Sequence, residues 1–460
     1  EANRGQNGQI IAMARAKSVH DVLAASNKYA ASANTHTLAA DRHGEALYGD
    51  LGPIANFSDQ QLEDCASDTP VAIAFFAPAF HGNTSDCEWN TDPDSAADGL
   101  LGASKHPSLI RTDYVINSND SYWLVNPNEP IEGIPAVVGN SGHEQEMRSR
   151  SGHRMMLDRI EGSDESGSSN FDLDSVVAMS LSNQNYTGQI LRDDLVTLCE
   201  NNPSVEVDGS TVDISEACQV LAAWDLRSNL DSRGAHLFRE FLRAAAGSVS
   251  FRTLPDTLNY AVPFDLDDPI NTPRGLDTQD NPVALEALAK ASQSLAAAGI
   301  ALDARLGDVQ TVSKNEQVIP MHGGEQGEGV FNKMSMDFAG SECYTAVTGS
   351  SGRWVMAVEF TEAGLRAKGI LTYSMSSSSE SPHYADMTEL FSRKELIDLP
   401  YTLEEVEAAA LSTTEISEGT LSCSDGGWEV FAEPSFADED ACRGYYEELE
   451  ANQLFDFVDE

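Results

Sequence analysis

Between Met147 and Ala298 apolar residues recur every three to four positions in one segment after another, whereas the stretches on either side alternate or run apolar only in short bursts. That order constrains the fold more than any single motif does. A block of helices bracketed by strands cannot be threaded as repeating strand–helix–strand units, so it argues for an α+β layered fold without a parallel βαβ repeat. The helical segments read as Met147 to Ile160, Leu173 to Leu181, Ile190 to Leu198, Ile214 to Leu221, Ala235 to Ala245 and Ala284 to Ala298. Pro282 near the first turn of the last helix and Gly299 just past its end occupy the positions those residues favour. Strand patterns follow at 309–312, 317–319, 344–347, 353–360 and 370–373.

Ahead of that block, Glu1 to Tyr29 carries helical spacing with a break near Ser18 or His20. Residues 34–48 alternate like a hairpin around Asp41-Arg-His-Gly44, where glycine supplies the left-handed position such a turn needs. Asn56 to Pro107 is loop-rich, with Val71 to Phe76 a short apolar run of strand length. Residues 124–146 have no period, and Asn126-Pro127-Asn128-Glu129-Pro130 enforces an extended or turning path.

Charge narrows the partners. Seventy-four acidic residues against 28 basic ones give a formal charge of −46, which repels nucleic-acid phosphates and anionic membranes. No stretch approaches the roughly 20 apolar residues that span a bilayer. The chain opens at Glu1 without a basic-then-apolar leader, so any signal peptide is expected upstream of this numbering. Six of the seven cysteines fall into near neighbours, which pair as Cys65 with Cys87, Cys199 with Cys218 and Cys423 with Cys442; Cys343 is left over for the core. The spacing has no CxxC element for zinc. Each bridge would contribute about 2–4 kcal/mol in the chain-entropy view and implies an oxidising compartment, periplasmic or extracellular. Seven reduced, buried thiols are the alternative.

Asp113-Tyr-Val-Ile-Asn117-Ser-Asn119-Asp120-Ser121-Tyr-Trp123 brings a short apolar run into a polar turn with two asparagines. A fixed neutral amide can aim its NH2 at an oxygen that becomes anionic, with nothing to reorganise when the charge appears. Asparagine-rich turns are also common for purely local reasons, because the side chain bonds its own backbone and tolerates positive φ.

Three further segments keep this one company: Asn34-Thr-His-Thr-Leu-Ala-Ala-Asp41-Arg-His-Gly44-Glu-Ala-Leu-Tyr48, Met147-Arg148-Ser149-Arg150 and Ser381-Pro-His-Tyr-Ala-Asp386. In this order and at these separations the set resembles the β-chain of the penicillin acylase family, nearest to the acyl-homoserine lactone and aculeacin-type acylases, over roughly residues 1–400. The resemblance implies an N-terminal-nucleophile hydrolase with an αββα sandwich of antiparallel sheets flanked by helices, incomplete here at its N-terminus. It implies cleavage of N-acyl-homoserine lactones or related acyl amides, with β-lactam side-chain acylase activity, or an inactive binding protein on the same scaffold, as the alternatives. Asn119 matches the oxyanion-hole asparagine. Arg148 matches the arginine that orients it and the substrate, a role suited to a permanently charged, planar fork of donors; Arg150 is the runner-up, and Asn117 is left to secure the turn.

By the same resemblance the nucleophilic serine, a histidine and a backbone donor belong to a segment absent from this chain, so the chain alone is expected to be inert. Its partners would be the α-chain and the N-terminal part of the β-chain from the same precursor, and a small acyl amide as substrate. Residues 1–409 then form the partial β-chain and 410–460 an acidic extension, in which the only basic residue is Arg443.

Rival chemistries find less support. His36, His143, His153, His322 and His383 invite a serine–histidine–aspartate triad, yet no Gly-x-Ser-x-Gly elbow exists, and His383 reads as a structural histidine near the core. Asp92, Asp94 and Asp98 lack the glycine-containing spacing of a calcium loop and read as a solvated loop, so no cofactor is expected and a structural calcium has no support from this portion.

Overall fold

Two helices begin the chain, α1 (Gln6–Ala14) and α2 (Val19–Tyr29), and they separate where extended Ser18 accepts the Asp21 N–H on its hydroxyl. A capping hydroxyl satisfies one of the orphan amides of the new helix and so fixes where it starts. The computed structural model describes residues 5–32, 35–67, 79–248, 251–338, 343–347 and 352–414. The expected strand within 71–76, the Cys423–Cys442 bridge and most of the acidic extension lie outside them.

The expected hairpin forms from β1 (Thr37–Ala40) and β2 (Ala46–Gly49), with Gly44 at φ 88° in its turn, and β3 (Ser108–Arg111) adds a third antiparallel strand. Between β2 and β3 lie α3 (Asp59–Asp64) and long irregular stretches, tied by the Cys65–Cys87 bridge with Cα atoms 5.7 Å apart.

The helical block then follows as α4 (Met147–Glu161), α5 (Leu173–Ser180), α6 (Tyr186–Asn201), α7 (Ser215–Ala223), α8 (Ala235–Ala246) and α9 (Pro282–Ala297). Two short hairpins interrupt it, β4 (Ser204–Val207) with β5 (Ser210–Asp213) and β6 (Tyr260–Val262) with β7 (Arg274–Leu276). Leu191 and Leu195 of α6, Phe238, Phe241 and Leu242 of α8 and Leu288 and Leu295 of α9 are all fully buried in one core. Each such side chain is worth about 1.5–3 kcal/mol of transfer free energy. The Cys199–Cys218 bridge joins the end of α6 to α7.

Strands return after α10 (Leu306–Val309): β8 (Gln310–Lys314), β9 (Gln317–Pro320), β10 (Met336–Asp337) and β11 (Tyr344–Ala346) form a sheet ordered β10-β11-β8-β9. Its β11–β8 pairing is parallel, joining Tyr344 to Gln310 and Thr345 to Thr311, and is not part of a βαβ repeat. β12 (Trp354–Thr361), β13 (Gly364–Leu371) and β14 (Ile397–Asp398) make a last antiparallel sheet, with α11 (Asp386–Ser392) before β14 and α12 (Leu403–Ala409) after it. The result is a mixed α+β arrangement of several small sheets around a helical core.

A buried ionic network joins α8 to the loop at 325–328. Arg239 donates to Glu328 at 2.8 Å, both side chains fully buried, and to Gln310 at 2.9 Å. Arg243 reaches Glu240 at 2.9 Å and Glu325 at 2.6 Å, and the Tyr344 hydroxyl donates to Glu240 at 2.9 Å. Apart from this core, Tyr48, Tyr122, Trp123, Leu124, Val125 and Ile270 form a second, smaller apolar cluster. It anchors the chain immediately after the asparagine turn.

Candidate active site

The Asn117–Ser121 turn is built from its own side chains. Asn117 accepts the Asn119 N–H at 2.8 Å on Oδ1 and donates from Nδ2 to the Asp120 carbonyl at 3.0 Å. This is the local bonding that makes asparagine a turn residue, and it leaves Asn119 in the left-handed region at φ 64°. Asn117 therefore secures the turn.

Helix α4 meets the turn at its N-terminus. The Asp120 carboxylate accepts the Glu146 N–H at 2.8 Å, and a carboxylate at a helix start also interacts favourably with the helix dipole. One position into the helix, Arg148 Nη2 donates to Asn119 Oδ1 at 3.0 Å and also to the Ser118 carbonyl. A guanidinium only donates, so the Asn119 carbonyl oxygen must face it and the NH2 must face away. Asn119 is exposed, and its NH2 donates to no described group.

Burial pulls the Arg148 pKa below its ordinary value, an effect opposed by the Glu146 carboxylate beside it. Burial likewise raises Glu146, which Arg252 holds at 2.9 Å. Arg150 plays no part here. Two positions on, it emerges from another side of α4, is fully buried, and donates to the carbonyls of Ile270 at 2.7 Å and Pro273 at 2.9 Å.

A cleft of about 410 Å3 opens beside the turn, and its lining includes Asp120, Ser121 and Tyr122 together with His36, Asp50, Ile54 and Val138. His36 Nδ1 lies 2.8 Å from the Tyr48 hydroxyl and 3.8 Å from Asp50. Burial raises the Asp50 carboxyl above the usual carboxylate range, with His36 and His106 opposing. The pairing follows from the hairpin register, in which Thr37 opposite Gly49 leaves His36 opposite Asp50, 14 positions on.

The histidines do not assemble a triad: among the described residues no imidazole bonds a serine hydroxyl. His153 is buried against the Tyr114 hydroxyl at 3.3 Å, and His143 stacks on Trp123 and lies 3.9 Å from Asp120. His383, expected near the core, is instead at the surface, its side chain 64% exposed and paired with Asp386 at 2.8 Å. Its neighbour Ala385 is the residue of this segment that packs against the main core, while His383 stays outside as the partner of Asp386. Asp92 accepts from Lys105 and the Gly102 amide and Asp94 from the Ser104 amide, and no metal-holding cluster exists among the described residues. Cys343 is half-buried, not core. No helix among the described residues is long and apolar enough to cross a membrane.

Residues 2–408 match the family described as penicillin amidase. The chain is 34% identical over 414 residues to the aculeacin-A acylase of Actinoplanes utahensis, covering 89% of this chain and 51% of that protein. It is 32% identical over 377 residues to an acyl-homoserine lactone acylase of Pseudomonas syringae pv. syringae, covering 81% of this chain and 45% of the relative. A thermostable penicillin G acylase from Alcaligenes faecalis superposes with a TM-score of 0.46 at 14% identity, over 90% of this chain and 74% of that one. The mixed α+β chain with an asparagine turn locked to a helix start thus belongs to the penicillin amidase family. It spans about half the length of the curated relatives it matches.

Proposed function

We propose that this chain is the larger part of the β-chain of an acylase that hydrolyses the amide between an acyl group and a small amine. Asn119 supplies one oxyanion donor, and Arg148 is the positioning residue that holds its carboxamide. The observation that carries the reading is the 3.0 Å bond from Arg148 to Asn119 Oδ1, which turns the NH2 outward.

In this reading residues 1–409 are a partial β-chain, 410–460 an acidic extension, and the remaining part of the polypeptide completes an αββα sandwich. The nucleophile is a terminal serine of that remaining part. Its own α-amino group, with an ordinary pKa near 8, is the base that takes the hydroxyl proton as Oγ attacks the carbonyl carbon. The tetrahedral oxyanion then lies against the Asn119 NH2. Its collapse breaks the carbonyl–nitrogen bond while the protonated α-amino group gives its proton to the departing amine, leaving the acyl group as an ester on Oγ that water hydrolyses in a second step.

The preferred substrates are N-acyl-homoserine lactones or related acyl amides, a choice supported by what the relatives at 34% and 32% identity are named for. The two disulfides support residence in the periplasm or outside the cell.

The test uses the complete precursor. Asn119→Gly keeps the positive φ at no steric cost and removes only the carboxamide. Self-cleavage and melting temperature should be retained while kcat falls about 100- to 1,000-fold, the usual cost of one oxyanion donor. Undiminished turnover removes Asn119 from the role.

A further inference from the structure

Trp354-Val-Met-Ala-Val-Glu-Phe360 is apolar at six of seven positions. A strand with one wet face alternates, whereas a near-continuous apolar run is the composition of a strand covered on both sides. The described residues cover only one. Val355 and its cross-strand partner Ile370 pack into the main core, and Ala357 is 6% exposed. On the opposite face Trp354, Met356, Val358 and Phe360 remain 47%, 53%, 38% and 42% exposed.

Their cross-strand partners are Leu371, Gly369, Ala367 and Leu365, so the outer face of the β12–β13 hairpin carries no charge at all. Gly369 lets the Trp354 ring lie flat across the sheet, since a Cβ there would stand 2.8 Å from the indole. The hairpin's charges leave by the other side, Arg366 to Glu359 at 3.1 Å and Lys368 to Asp174 of α5 at 2.8 Å. A contiguous apolar plate of this kind on an otherwise charged protein marks a contact surface.

We infer that the outer face of β12–β13 is the docking surface for an apolar segment of the part of the acylase polypeptide that this chain does not span. The inference rests on the acylase reading, because the occupant is the remainder of that enzyme. The plate lies inside the family-matched region, and about half of each homologous polypeptide is unaccounted for by this chain, which covers 51% and 45% of two relatives. A second copy is the poorer occupant, because it would bring a chain of net charge −46 against another of the same charge.

Oxidative footprinting of Met356 and Trp354 tests this, in the chain alone and in the mature protein made from the complete precursor. The expected result is ready labelling in the chain alone and about tenfold protection in the mature protein. Val358→Lys should leave the circular dichroism of the chain unchanged, since the site is exposed, yet abolish that protection and co-purification of the two parts. Equal labelling in both forms overturns the proposal. So does protection in the chain alone, whether it is lost on dilution, which means a second copy, or lost on removing 410–460, which means the acidic extension. A genome that encodes no complementary polypeptide overturns it as well. The two readings fail separately: undiminished turnover in Asn119→Gly with Met356 and Trp354 still protected sinks the oxyanion role and leaves docking standing, whereas equal labelling of the chain alone and of a mature protein that hydrolyses acyl amides sinks docking alone.

Discussion

The Arg148 guanidinium lies 3.0 Å from the side-chain oxygen of Asn119 and also holds the Ser118 carbonyl, so one side chain fixes both the backbone and the carboxamide of a single turn. An amide free to flip presents oxygen or nitrogen outward at similar cost. Here a group that can only donate removes that choice, and it does so from the start of a helix tied to the same turn through Asp120 and the Glu146 amide.

Arg148→Ala in the complete precursor should therefore lower kcat about 10- to 100-fold, or roughly 1.4–2.7 kcal/mol of barrier, with KM little changed. Arg148→Lys should recover part of the loss, because an ammonium is a point donor and cannot match the fork. Steady-state kinetics on the three proteins checks the ranking; a rise in KM with kcat intact would make Arg148 a binding residue.

The helical block was legible because its apolar periods are long, and five of the six helices ahead of Ala298 lie within a few residues of the expected bounds. β13 is less so. It runs Gly364–Leu371 where the sequence pattern suggests only 370–373, because Arg366 and Lys368 are polar residues whose partners, Glu359 and Asp174, lie elsewhere in the chain. The Ser204–Asp213 hairpin is not among the expected elements, although Asp208-Gly209 at φ 50° and 78° is the usual two-residue signal. Asn119 and Arg148 stood out through the order of their motifs, whereas the Asp120 tie to α4 depends on tertiary packing and the Asp50–His36 contact on the register of the β1–β2 hairpin.

Glu328→Gln should destabilise the chain by about 3–5 kcal/mol, the usual cost of leaving a fully buried charge without its counter-ion. Arg239 would keep its charge and lose the carboxylate at 2.8 Å. Replacing both partners, Arg239→Met with Glu328→Gln, should recover much of the loss. Urea midpoints at constant slope measure it, and a single-variant effect below about 1 kcal/mol would mean that the network relaxes around the gap.

Reduction of the Cys199–Cys218 bridge should cost about 3 kcal/mol in the loop-entropy view, because it ties residues 19 positions apart. Cys199→Ser with Cys218→Ser should lower the urea midpoint of unreduced protein and remove part of the sensitivity to a thiol reductant. Equal midpoints for the variant and the unreduced parent would mean that the buried α6–α7 packing alone holds this corner.

His322 sets a pH limit on the fold. Its Nδ1 accepts from the amides of Asn183 and Asn332, both at 3.1 Å, and its Nε2 donates to the Phe391 carbonyl at 2.7 Å. Protonating Nδ1 would set an N–H against two donors in a fully buried site, and burial already lowers the pKa to about 4 from an ordinary 6.5. His153 and His236 are pushed to about 4 by burial as well. The unfolded chain thus binds more protons than the folded one between these values, so this contribution to stability is whole above pH 6.5, is lost as pH falls toward 4 and does not change further below. Glu144, raised by burial to about 7, acts in the opposite sense, losing stability as pH rises from 4.5 to 7. His322→Gln should cost stability at pH 7.5, where the imidazole is well bonded, but flatten the decline between pH 6.5 and 4. Denaturant unfolding at several pH values reads the slope, and an unchanged slope in the variant would remove His322 from the acid response.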